Sequence, residues 1–142
     1  MERMTKTEWR QFLEEHRSPA IAAVTRPDGR PHASPLWIYP NGDEIIMTMF
    51  HTAVRTRALM NDPRMTLVVQ DDAPPYRYVV IEGRVTGFEK DLDTVRYWAG
   101  KLGGRYMGED RADEFAKRNG IPGEWLARFE IDQVRADKNI TE

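Results

Sequence analysis

The apolar positions change period along the chain, and the changes mark its elements. Between residues 5 and 16 they recur at helical spacing, with Trp9, Phe12 and Leu13 on one face, Thr5 as a cap and Pro19 closing the segment. Ala20–Thr25 is a short apolar run of strand length whose small side chains imply close packing. Pro27-Asp28-Gly29 supplies a turn, because proline presets φ and glycine accepts a positive one. His32–Tyr39 reads as a second strand. Asn41-Gly42 is a type I′ hairpin signal leading into a third, Glu44–Phe50.

Met65–Gln70 is the fourth strand, and Asp71-Asp72-Ala73-Pro74-Pro75 a rigid polar connection. Tyr76–Phe88 is a long fifth strand in which Gly83 or Gly87 marks a bend or bulge. Asp91 caps a helix carrying Leu92, Val95, Trp98 and Leu102, with Gly103-Gly104 as its stop. Glu109–Asn119 is a more charged helix bounded by Gly120 and Pro122. In the sixth strand, Trp125–Val134, strict alternation puts Trp125, Ala127, Phe129 and Ile131 on one face. Six strands with hairpin-like connections predict a mainly β fold: an antiparallel sheet curled into a barrel, with peripheral helices. No repeat, low-complexity tract or linker divides residues 1–142, so one domain is expected.

Composition narrows the options. Hydrophobic residues make up 40% and charged residues 31%, a globular balance. No apolar run approaches the roughly 20 residues that span a bilayer, and Met1-Glu2-Arg3-Met4-Thr5-Lys6 lacks the apolar core of a signal peptide. The absence of cysteine excludes disulfides and thiolate metal sites and fits a cytoplasmic address. A net charge of −2 leaves no basic excess to displace counterions from nucleic acid.

Any basic patch is therefore local, and one stands out. Ile45 to Asn61 contains no acidic residue, yet Arg55 and Arg57 fall where a helix begins, after Thr52 as candidate N-cap and before Asp62-Pro63. Cations in a first helical turn oppose the macrodipole by roughly 0.3–1 kcal/mol each. An anion on the free N–H groups reverses that sign, and phosphate is the usual guest at such a corner. Thr48, Thr52 and Thr56 add hydroxyls, and the planar arginine fork suits phosphate oxygens. The plainer reading is two solvated surface arginines.

Other features are less specific. Tyr76-Arg77-Tyr78 could stack on a planar ligand or a partner subunit, or be ordinary strand tyrosines. Pro35 in Ser34-Pro35-Leu36-Trp37 implies an edge or a bulge. His16, His32 and His51 have no metal spacing. Gly103-Gly104 lacks the preceding strand of a dinucleotide fingerprint, and no Gly-x-Ser-x-Gly elbow occurs. Any reactive group is expected to be borrowed from a cofactor.

The order of these pieces resembles the pyridoxamine 5′-phosphate oxidase-like split β-barrel family, and within it the class that uses coenzyme F420. The resemblance runs from about Ser18 to Ile140. It is carried by Asp28-Gly29-Arg30-Pro31-His32-Ala33-Ser34-Pro35, Arg55-Thr56-Arg57, Asn61-Asp62-Pro63-Arg64, Ile81-Glu82-Gly83, Arg105-Tyr106-Met107-Gly108 and Gly120-Ile121-Pro122-Gly123. It implies a homodimer with cofactor sites between subunits and a small electron-poor substrate reduced by hydride transfer. Carried over by position, it implies that Arg55, Thr56 and Arg57 hold the cofactor phosphate. Met47, Thr48 and Met49 would lie along the ring and ribityl chain, with Trp37 on the neighbouring strand. Tyr76, Arg77 and Tyr78 would reach across from the other subunit. Position 55 is Arg where many relatives have Lys, and the substrate-phosphate motif of true pyridoxamine phosphate oxidases is missing. FMN is the alternative cofactor, since it shares the phosphate and polyol. The deazaflavin's oligoglutamate tail would need further cations, for which Arg26, Arg30 and Arg77 are candidates. A non-catalytic flavin or haem binder of the same fold is the remaining alternative.

Overall fold

In the computed structural model, which describes residues 1–142, a single antiparallel sheet organises the chain. Its strands are β1 (Glu2–Arg3), β2 (Ala20–Thr25), β3 (Pro31–Leu36), β4 (Tyr39–Asn41), β5 (Glu44–Phe50), β6 (Arg64–Gln70), β7 (Tyr78–Glu89) and β8 (Glu124–Lys138). The helices are α1 (Lys6–Glu15), α2 (Val54–Asn61), α3 (Leu92–Met107) and α4 (Ala112–Asn119), with a 3₁₀ turn at Glu109–Arg111. The ladder order is β3-β2-β6-β7-β8-β5-β4, and β1 adds to the far end of β8.

The expected count of six strands is corrected to eight, and the expected barrel does not close: β3 and β4 end the path without pairing to each other. These two strands replace the single strand expected over His32–Tyr39. The chain breaks at Trp37-Ile38, where the side chain of Tyr106 takes the place of a neighbouring strand. Its hydroxyl accepts from Ile38 N (3.0 Å) and donates to Ile38 O (3.1 Å). Pro35 lies on β3, the edge position a residue without an N–H favours.

Alternation fills the concave face. Ala20, Ala22 and Val24 of β2, Ile45, Met47 and Met49 of β5, Met65, Leu67 and Val69 of β6, and Val79 and Ile81 of β7 meet Ala127 and Phe129 of β8 in one core. Phe12 and Leu13 of α1 close it. Each large side chain fully buried there contributes roughly 1.5–3 kcal/mol. Gly83 sits at a register shift, where a Cβ would lie 2.1 Å from Glu130 O, so the expected bulge is present and explained. On the convex face, Ile46 and Leu126 pack under Val95 of α3.

Local chemistry sets the boundaries. Thr5 and Glu8 form a reciprocal capping box on α1. At the other end of α1, Arg105 donates to the carbonyls of Leu13, Glu14 and His16. The hairpin after Asn41 has positive φ at Gly42 alone, where a type I′ turn needs two such residues. Gly103-Gly104 does not end α3. A Cβ at Gly103 would fall 2.2 Å from Phe115 Cβ, so glycine serves close helix packing, and the helix stops at Gly108 (φ 114°). No helix is long and apolar enough to cross a membrane.

Candidate functional site

A cleft of about 370 Å³ opens between the convex face of β5 and β8, the start of α2, and α3 and α4. Its apolar wall is Leu36, Trp37, Leu102 and Phe115; its polar wall is Thr48, Arg55, Arg118, Asn119 and Glu124. Trp37 stacks on Tyr106, with centroids 5.2 Å apart and planes 5° apart, and meets Phe115 edge-on at 5.4 Å. The strand break thus delivers an oriented aromatic face to the cleft.

Arg55 enters from α2. Its Nη1 donates to Ser34 Oγ (2.8 Å) and Pro35 O (3.2 Å), while its buried Nε has no partner. Burial pulls the guanidinium below its ordinary pKa, and the nearby Glu124 opposes that pull. The sequence around Arg55 is free of acids, but the fold is not: β8 begins beside it and brings Glu124 into the same cleft. Burial raises the Glu124 pKa, against the lowering influence of Arg55 and the Thr48 hydroxyl. No salt bridge joins the two side chains. Glu124, Arg118, Asn119 and Phe115 were not anticipated as site residues, since nothing local sets them apart; only tertiary contact does.

The other expected residues divide. Thr48 faces the cleft because it alternates with Met47 and Met49, whose side chains are buried in the core on the opposite face. Those two can offer a ligand only their backbone. Thr52 is exposed and does not cap α2; the N-cap is Ala53, without a side-chain bond, so the first-turn N–H groups stay open. Thr56 is fully buried and its hydroxyl donates to Phe50 O (2.6 Å), fastening α2 to β5. Arg57 is exposed, forms no ion pair and does not line the cleft. Two residues along a helix turn the side chain by about 200°, away from Arg55.

Tyr76, Arg77 and Tyr78 line a separate cleft of about 290 Å³ with Asp71, Asp72 and Ile140. Arg77 pairs with Asp71 (2.6 Å) and lies 4.6 Å from the centre of the Phe12 ring. The Tyr78 hydroxyl donates to the buried Asp137 (2.5 Å), and Tyr76 is exposed. Arg30 pairs with Asp28 (2.8 Å), and Arg26 contacts His32 (3.4 Å). Arg30 and Arg77 therefore have acidic partners, whereas Arg26 has none and its buried Nε lacks a hydrogen-bond partner. No histidine lines the Arg55 cleft, and no cluster of metal-binding side chains exists.

The sheet, its helical cover and the order of elements are those of the pyridoxamine 5′-phosphate oxidase-like fold. The chain belongs to the pyridoxamine 5′-phosphate oxidase family, with a match spanning residues 5–137. Among solved structures, it resembles a conserved hypothetical protein of Mycobacterium tuberculosis at 21% identity and a TM-score of 0.81, covering 96% of this chain and 86% of that one. A protein described as an F420 reductase aligns at 24% identity and a TM-score of 0.70, covering 87% and 94%. HutZ, the haem storage protein of Vibrio cholerae, aligns at 19% identity and 0.69, covering 91% and 92%. At these identities the likeness is one of fold. No curated protein matches the sequence.

Proposed function

We propose that the protein is a homodimeric oxidoreductase that uses coenzyme F420, with the cofactor phosphate at Arg55, to reduce a small electron-poor substrate. The observation that carries this reading is the half-buried Arg55, which enters a cleft with an aromatic wall from a helix start that has no side-chain cap. A guanidinium there with no salt-bridge partner can give a phosphate charge-assisted hydrogen bonds of about 1.5–3 kcal/mol each. Arg55 and the first-turn N–H groups of α2 would hold the phosphate, Thr48 the polyol, and Trp37 would flank the ring. When bound, the deazaflavin supplies a hydride from its central ring. The chain's own part is to fix both ends of the cofactor and keep water from its ring.

FMN is the second reading, and one observation favours it. Arg30 and Arg77 are already paired with Asp28 and Asp71, which removes two of the three cations expected to receive an acidic tail. Haem is less well supported, because His16, His32 and His51 all lie outside the cleft.

Calorimetric titration with F420, FMN and haem, together with sedimentation analysis, tests both readings. Micromolar or tighter F420 binding to a dimer supports the first. Tight FMN binding without F420 binding replaces it with the second, and binding of neither, or of haem alone, removes both.

A further inference from the structure

Glu124 has no part in the reading above, yet it occupies the same cleft as Arg55. It begins β8, opposite Phe50 of β5, and is part-buried with no salt bridge to either cleft arginine. A carboxylate placed there repels any anion seated on Arg55, whereas the protonated acid does not and can also donate a hydrogen bond. The groups facing it are few. Arg55 comes from α2, Arg118 from α4 and the Thr48 hydroxyl from β5. His51 and Lys90 lie against the Trp125 ring, which points to the other face of the strand.

We infer that Glu124 is a specificity-determining residue of the Arg55 cleft: an anionic ligand binds with uptake of a proton by its carboxyl group. The inference rests on the reading of Arg55 as an anion site. Burial already favours the neutral acid, and Arg55 and Thr48 oppose it. An anion on Arg55 cancels the larger of those opposing influences and adds repulsion, so the carboxyl holds its proton more firmly. Linkage makes the effect mutual: whatever raises the proton affinity of Glu124 is itself bound more weakly as that proton leaves. Anion affinity therefore falls as pH rises through the Glu124 titration. The cleft would favour ligands that offer an anion together with a hydrogen-bond acceptor over simple polyanions.

The test uses the full-length protein, its Glu124→Gln variant and two probes. Sulfate keeps its charge from about pH 5 to about pH 8, unlike the phosphate of FMN, whose second pKa is about 6. Carboxyl ¹³C NMR, with the Glu124 signal assigned by its loss in the variant, should show a titration that moves upward when sulfate replaces chloride at equal ionic strength. FMN titrated in buffers of different ionisation enthalpy should show proton uptake in the wild type, reduced in E124Q. At about pH 8 the variant should bind FMN roughly tenfold more tightly. A Glu124 titration indifferent to sulfate, or equal pH dependence in the two proteins, overturns the inference. If FMN binds with that equal dependence, the cofactor reading survives alone. If neither FMN nor F420 binds while sulfate still moves the titration, the inference stands and the cofactor reading falls.

Discussion

Trp37 and Tyr106 lie face to face, 5.2 Å between centroids and 5° from parallel, although 69 positions separate them in sequence. The stack is set by backbone chemistry: the Tyr106 hydroxyl satisfies both polar groups of the buried Ile38 where β3 gives way to β4. One side chain thus replaces a missing strand and orients the cleft wall.

Replacing Tyr106 with Phe keeps the ring and removes both hydrogen bonds. The two buried backbone groups of Ile38 are left unpaired, so urea unfolding should show a loss of about 1–3 kcal/mol. Ring-to-ring contact survives, so the near-ultraviolet dichroism of Trp37 should change less in Y106F than in Tyr106→Ala.

Gly103→Ala should destabilise the protein even though alanine favours helices by about 1 kcal/mol. The added methyl would lie 2.2 Å from Phe115 Cβ and 2.7 Å from its Cγ. Overpacking of this kind costs about 1–3 kcal/mol. Gly87→Ala is the control: no neighbour lies within 4 Å of its Cβ, so its melting temperature should move far less.

Arg55→Ala should erase discrimination between FMN and riboflavin, which differ by the phosphate alone. Charge-assisted hydrogen bonds of about 1.5–3 kcal/mol imply a loss of roughly 10- to 100-fold in FMN affinity, with riboflavin affinity little changed. Equal losses for both ligands in a calorimetric titration would mean that Arg55 supports the fold of the cleft through Ser34 and Pro35 instead.

Acid should weaken the tie between α1 and β8. The Lys138 ammonium and the Thr5 backbone N–H hold the Glu8 carboxyl at a pKa of about 2, below its ordinary 4.5. A pKa depressed in the folded state stabilises above the unfolded value and is lost as pH falls through the folded one. The window therefore runs from pH 4.5 down to about 2. Over that range the urea midpoint of the wild type should fall more steeply than that of Glu8→Gln. Because the pair is exposed, added salt should flatten the difference.

The elements with strong local signals were legible in sequence. Glu44–Phe50 has the expected bounds, Thr5 caps α1, and Gly83 sits at a bulge, since alternation, capping chemistry and a missing side chain act over a few residues. What failed depended on distant partners. The break at Trp37-Ile38 needs Tyr106, and the helical Gly103 needs Phe115. Of the residues expected to share a cofactor, Arg55, Thr48 and Trp37 line one cleft. Met47 and Met49 turned inward by strand parity, and Arg57 turned away by helical geometry. Glu124 was invisible because its significance comes only from a neighbour 69 positions earlier.

The last turn of α3 works as a rivet through two layers. Arg105 grips the tail of α1, while the adjacent Tyr106 grips the sheet at Ile38. Fraying of that single turn would loosen the end of α1 and slacken the tryptophan wall together. Amide exchange at Ile38 and at His16 should therefore rise and fall in step.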